Sequence, residues 1–88
     1  MIDIKSMEKK YRIYSKDGCP FCIRAKNLLE KLDLEYEVVD LTNNLMRNDF
    51  YEQRQFASHL RTVPKVYEIV ADKEILIGGY TELAAALV

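Results

Sequence analysis

The sequence predicts an α/β domain, a four-stranded mixed sheet with three helices in the order βαβαββα. Three observations predict it. A β-prone run at 11–14 is followed by Ile23, Ala25, Leu28, Leu29 and Leu32, which recur with a helical period. Two further β-prone runs, 65–70 and 74–77, lie close together, where a hairpin is the simplest connection. Gly78-Gly79 then punctuates the chain before a last apolar stretch.

The elements follow in order. Met1–Lys9 is mixed and charged and is expected to be an N-terminal extension. Lys10–Tyr14 reads as the first strand, Ser15–Gly18 as a turn and Cys22–Leu32 as the first helix. Tyr36–Val39 is the second strand, ending at Asp40, and Thr42–Asn44 is a loop rich in helix-capping side chains. The second helix is expected from Leu45 or Asn48 to His59, with Met46, Phe50, Phe56, Ala57 and Leu60 on or near one face. Lys65–Val70 and Glu74–Ile77 are the third and fourth strands, with a turn at Ala71–Lys73. Pro64 to Gly78 spans 14 positions (78 − 64) and the turn lacks Asn-Gly, so an extended hairpin is expected. Thr81–Leu87 is a short final helix, capped by Thr81. Strands joined through the first helix should run parallel with a right-handed crossover. The last two should be antiparallel. Tyr11, Tyr14, Tyr36 and Tyr67 are expected in the core or on sheet faces.

Composition narrows the function classes. Eighty-eight residues with 49% hydrophobic content suffice for one compact domain. The net charge is −1 and the pI about 5.8, with no basic stripe, so no nucleic-acid partner is expected. The apolar run Leu83–Val88 is far too short to span a bilayer, and no membrane partner is expected. Met1–Lys10 lacks the apolar centre of a signal peptide, so a cytoplasmic location, where thiols stay reduced, is the expectation.

Cys19-Pro20-Phe21-Cys22 carries the chemistry. These are the only two cysteines, and they stand where a strand turns into a helix. A C-x-x-C in that position reads as a thiol–disulfide centre. Free backbone N–H groups and the positive end of the helix dipole stabilise a thiolate at the first cysteine, and the thiolate is the attacking species. Other readings fit less well. A zinc site needs four ligands, and the chain offers one cysteine pair and one histidine, His59, so no metal is expected. A disulfide closing so short a loop constrains the unfolded chain little. Two cysteines buried as small hydrophobes would not need a helix start or a flanking Lys16. His59 itself reads as a polar residue at a helix end.

Together these motifs resemble the glutaredoxin branch of the thioredoxin-like fold, over residues 10–88 of the chain. Lys16-Asp17-Gly18-Cys19-Pro20-Phe21-Cys22 is similar to the dithiol active site. Arg61-Thr62-Val63-Pro64 is similar to the segment whose proline is cis and faces the cysteines. Gly78-Gly79-Tyr80-Thr81-Glu82-Leu83 is similar to the Gly-Gly element leading into the last helix. The resemblance implies a glutathione-dependent oxidoreductase that reduces protein disulfides and glutathione mixed disulfides, with glutathione as co-substrate. It implies Cys19 as nucleophile and Cys22 as resolving thiol. Lys16 would favour the thiolate and meet a glutathione carboxylate, with Arg61 beside it. Thr62, Val63 and Pro64 would present backbone to the bound peptide, and Phe21 would wall the groove. Thr81 and Glu82 would hold the γ-glutamyl end, with Gly79 and Tyr80 also in the glutathione site. Glutathione chemistry agrees: its carboxylates suit a lysine and a helix N-terminus, and its amine suits Glu82.

Two positions depart from the family pattern: Phe21 stands where tyrosine is common, and Glu82 where aspartate is common. Two alternatives remain. One is an iron–sulfur cluster carrier, a dimer with one Cys19 and one glutathione per subunit, against which Pro20 argues. The other is a thioredoxin-like donor reduced by a flavoprotein reductase, against which Gly18 argues, since thioredoxins carry tryptophan there. Ribonucleotide reductase is a family-level expectation for a protein substrate, and a monomer is the expected state.

Overall fold

The structure, a computed structural model, describes residues 9–87. The expected N-terminal extension lies, except for Lys9, outside the described residues. Within them the order βαβαββα holds: β1 (Lys10–Ser15), α1 (Pro20–Lys31), β2 (Glu35–Asp40), α2 (Asn44–Gln53), β3 (Lys65–Val70), β4 (Lys73–Gly78) and α3 (Tyr80–Leu87). A single 3₁₀ turn, Ser58–Leu60, precedes β3. The sheet order is β2-β1-β3-β4, with β1 parallel to β2 and the other neighbours antiparallel.

Strand alternation divides the core in two. Tyr11 and Ile13 of β1 and Val66 of β3 face Ala25 and Leu29 of α1 and Leu83 of α3. Tyr14 and Tyr67 point to the opposite face, against Leu41 and the α2 residues Phe50 and Tyr51. Tyr11, Tyr14 and Tyr67 are thus core residues as expected, and Tyr36 packs at the margin. On the α2 face, Arg54 lies over the Tyr14, Phe50 and Tyr67 rings, with its guanidinium carbon 4.8–5.0 Å from each centroid. It donates to Glu74 Oε1 at 2.7 Å, while Arg12 donates to Glu74 Oε2 at 2.9 Å. The Tyr14 hydroxyl also donates to Glu74.

The second helix is shorter than the sequence pattern predicts. It starts as expected from the loop, with Asn43 Oδ1 accepting from Leu45 N and Met46 N. It ends at Gln53 rather than His59, because Gln55 turns left-handed (φ 57°). Phe56 N then donates to Tyr51 O and Gln55 N to Glu52 O, a Schellman closure. Met46 and Leu60, expected on an apolar face, are 55% and 46% exposed. α1 ends the same way at Asp33 (φ 57°), with Leu34 N donating to Leu29 O.

The hairpin's extra length does not lie in its turn. Two six-residue strands are joined by Ala71 and Asp72 alone, both with positive φ (50° and 65°), as in a type I′ turn. The extra length lies inside the pairing. Val66 pairs with Gly78 and Tyr67 with Leu76, so Ile77 bulges. Thr81 is not the cap of α3. It stands inside the helix, and Glu82 reaches back to accept from Gly79 N at 2.7 Å.

A left-handed residue bearing a Cβ costs about 1–2 kcal/mol. Ala71→Asn combined with Asp72→Gly should therefore raise Tm, since about 1 kcal/mol shifts Tm by roughly 4–8 °C in a domain of this size. Thermal unfolding followed by circular dichroism checks this, and an unchanged or lower Tm contradicts the turn assignment.

Candidate active site at the start of α1

The loop that delivers Cys19 is held from outside. Leu41 N donates to Ser15 O at 2.7 Å, and Asp17 N donates to Thr42 Oγ1 at 2.9 Å. Thr42 in turn is fixed by Asp40 Oδ1, which accepts from its backbone N–H at 2.9 Å. Gly18 (φ 70°) makes the turn into the helix with open space around it, so conformation rather than crowding calls for glycine there.

Cys19 is the N-cap of α1, with Pro20 at the first helical position. Its Sγ accepts from Cys22 N at 3.2 Å, the bond a serine or aspartate cap would take. Cys19 and Cys22 form a disulfide with Cα atoms 5.2 Å apart. Cys22 is 0% exposed and Cys19 7%, so of the two only Cys19 has any surface open to solution. The Val63 carbonyl oxygen lies 3.6 Å from Cys19 Sγ, and the Val63–Pro64 peptide is cis. This arrangement presents one cappable, reachable sulfur to a nucleophilic exchange, with a second sulfur behind it to resolve the product.

Two grooves adjoin at Thr62 and Val63, and Cys19 lines the second of them. One, of about 340 Å³, is lined by Phe21, Thr62, Val63, Pro64, Gly79, Tyr80, Thr81 and Glu82. It gathers eight of the sequence-predicted binding residues. The Phe21 and Tyr80 rings stand 6.2 Å apart along it. Gly78 has φ 132°, and a Cβ there would come within 2.8 Å of the Glu82 side chain, so Glu82 can fold over the Gly-Gly corner only because both positions lack side chains. The other groove, of about 410 Å³, contains Lys16, Cys19, Arg61, Thr62 and Val63. Glu82 thus lines the first groove and Lys16, Cys19 and Arg61 the second, with Thr62 and Val63 common to both. Arg61 is anchored by donating to Phe56 O at 3.1 Å. His59 is exposed in the 3₁₀ turn and lines neither groove. Among the described residues no group of three or more His, Cys, Asp or Glu side chains could hold a metal ion.

Sequence reasoning missed Arg47, Tyr51 and Lys65. Arg47 and Tyr51 line the second groove, Arg47 being fixed by donating to Leu41 O and Thr42 O at 2.9 and 3.1 Å. Lys65 is only 6% exposed. Its Nζ donates to Thr62 Oγ1 at 3.3 Å and lies 5.0 Å over the Phe56 ring. Burial pushes its ammonium pKa down, against a weaker upward pull from Glu82. The signal was a lone charge heading an apolar strand directly after Pro64.

Comparison with known proteins agrees with the geometry. The Glutaredoxin family model matches residues 12–75. Glutaredoxin 1 of Escherichia coli is 37% identical over 79 residues, covering 83% of this chain and 86% of its own length. Human Glutaredoxin-1 is 31% identical over 87 residues, covering 96% of this chain and 78% of its own. The crystal structure of Glutaredoxin 1 from Francisella tularensis, complexed with cacodylate, superposes with a TM-score of 0.75 at 29% identity, covering 90% of this chain and 92% of that one.

A buried ammonium with one neutral acceptor disfavours folding while it stays charged. Lys65→Met, which keeps the length and removes the charge, should leave Tm at pH 7 unchanged or higher. Because the folded ammonium pKa is lowered, wild-type stability rises as pH climbs from that value toward the ordinary 10.5, and the variant's advantage shrinks. Thermal unfolding of both proteins from pH 7 to 10 tests this, and an advantage that grows with pH contradicts it.

Proposed function

The chain belongs to the glutaredoxin family and is a thiol–disulfide oxidoreductase, and on that premise we propose that glutathione is its reductant and that it reduces glutathione mixed disulfides and protein disulfides. One observation carries this reading: the groove that holds Glu82 and the groove that holds Cys19, Lys16 and Arg61 share Thr62 and Val63. A glutathione lying along the Thr62–Val63 wall meets groups of matching charge at both ends. Lys16 and Arg61 suit its glycyl carboxylate. The start of α3 suits its γ-glutamyl carboxylate. Glu82 spends one carboxylate oxygen on Gly79 N and keeps the other for the γ-glutamyl amine.

The chemistry then balances in two steps. The Cys19 thiolate attacks the glutathionyl sulfur of a mixed disulfide, forms a Cys19–glutathione disulfide and releases the substrate thiolate. A second glutathione thiolate attacks the glutathionyl sulfur, giving glutathione disulfide and restoring the Cys19 thiolate. On a protein disulfide, the Cys22 thiolate instead attacks the Cys19 sulfur of the protein–protein mixed disulfide. That attack expels the second substrate thiolate and leaves the Cys19–Cys22 disulfide.

A coupled assay decides the reductant. Turnover with glutathione and glutathione reductase should greatly exceed turnover with thioredoxin reductase, and the opposite order sinks the proposal. Cys19→Ser should abolish turnover of a small glutathione mixed disulfide. Cys22→Ser should keep much of it and lose the two-thiol reduction of a protein disulfide; equal loss in both variants on the small substrate would contradict the roles.

Glu82→Gln keeps an acceptor for Gly79 N and removes the charge. It should raise KM for the mixed disulfide about tenfold, the scale of a charged hydrogen bond. Tm should barely move. A fallen Tm with unchanged KM would make Glu82 purely a cap.

A further inference from the structure

A third groove, of about 370 Å³, adjoins the site and is used by none of this chemistry. It lies between α1 and α3 and is lined by Arg24, Asn27, Leu28, Lys31 and Tyr80. Tyr80 belongs to this groove and also to the Phe21–Glu82 groove, so the two adjoin at that residue. The lining holds two cations and no carboxylate. Neither Arg24 nor Lys31 makes an ion pair or a side-chain hydrogen bond among the described residues, whereas the ion pairs found there take Lys10, Arg12 and Arg54. Glu30, the one acid of α1, accepts instead from the Tyr36 hydroxyl at 2.9 Å, toward β2. Arg24 is not idle, since its guanidinium lies 5.1 Å over the exposed Phe21 ring. The result is a shelf that starts at the aromatic wall beside Cys19 and carries unneutralised positive charge away from it.

We propose that this shelf docks the polypeptide of the substrate, and that it selects acidic side chains a few residues from the reacting cysteine. The inference rests on the reading that glutathione occupies the Thr62–Val63 wall. Glutathione then fills the ground from Glu82 to Lys16, and the protein half of a mixed disulfide must leave Cys19 by another side. The Phe21–Tyr80 ridge opens onto the shelf. Phe21 to Lys31 is ten helical positions, about 15 Å at 1.5 Å per residue. An extended peptide covers that with about four or five residues at roughly 3.3 Å each. Acidic side chains two to five residues from the cysteine therefore come alongside Arg24 and Lys31. Such exposed pairs are weak one at a time and fade with salt, which makes the selection one of rate and preference.

The test compares glutathionylated peptides that carry aspartate and glutamate, or alanine, at positions two to five on either side of the cysteine. The wild-type chain with glutathione and glutathione reductase should turn over at least one acidic peptide with about fivefold higher kcat/KM than its alanine counterpart at low salt, and the gap should close in about 0.5 M salt. The double variant Arg24→Glu, Lys31→Glu should lose or invert that preference. It should keep wild-type turnover of a small uncharged mixed disulfide, and its Tm should match wild type. Equal turnover of acidic and alanine peptides by the wild type overturns the proposal, and so does a double variant that keeps the preference. If the wild type turned over no glutathionyl substrate at all, the glutathione reading itself would have failed, an outcome separate from both.

Discussion

The reactive end of the molecule depends on one hydrogen bond, from the Cys22 N–H to Cys19 Sγ. A helix must satisfy its first N–H groups, and here the atom that does so is the one that does the chemistry. A thiolate accepts that bond more strongly than a disulfide sulfur, so the start of α1 is better capped in the reduced protein. The same geometry hides the second sulfur, because the residue that donates the N–H points its own side chain into the core, where Cys22 has no exposed surface. The cap, and the proposed division of Cys19 and Cys22 into attacking and resolving thiols, are consequences of a single chain reversal between β1 and α1.

The sheet supplies the rest by separating two kinds of packing. The α1 and α3 face is mostly aliphatic around Ile13, Leu29, Val66 and Leu83, and it fixes the helix that carries Cys19 relative to the helix that begins at Gly79. The α2 face is aromatic and charged, and it anchors the loops that border the second groove through Arg47 and Arg61. The binding wall, Thr62–Pro64, enters the sheet between these faces. Its position is held by β3 pairing with β1 and by Lys65 reaching back to Thr62.

Periodicity and punctuation made most of this legible in the sequence. The period of Ile23 to Leu32, the capping loop before α2 and the Gly-Gly corner located the elements, and three short motifs located the site. What escaped the sequence has a common physical origin. Gln55 ends α2 in the left-handed region that glycine usually takes, so nothing in the residue type marks the stop. Ala71 and Asp72 make a two-residue turn without the Asn-Gly that usually marks one, so the turn was legible and its tightness was not. The bulge at Ile77 lengthens a strand, which sequence spacing cannot tell from a longer loop. The division of the predicted binding residues between two grooves depends on where β3 enters the sheet. The burial of Lys65 follows from its place opposite Tyr14 in the pairing of β3 with β1, which residue type alone does not show.

Glu74 gathers Arg12, Arg54 and the Tyr14 hydroxyl at the turn end of β4, the far end of that strand from Gly78. Burial alone would raise its carboxyl pKa, but hydrogen bonds from Tyr14, Arg12 and Arg54 outweigh it and hold the group below the ordinary 4.5. A carboxylate with a lowered folded pKa contributes stability that is full above the ordinary value and lost as pH falls through the lowered one. Protonation leaves the Arg54 cation against three rings with its counter-charge gone. Acid should therefore loosen the molecule from its β4 edge and the end of α2 inward, while the bond from Cys22 N to Cys19 Sγ, which involves no carboxylate, is not itself titrated away.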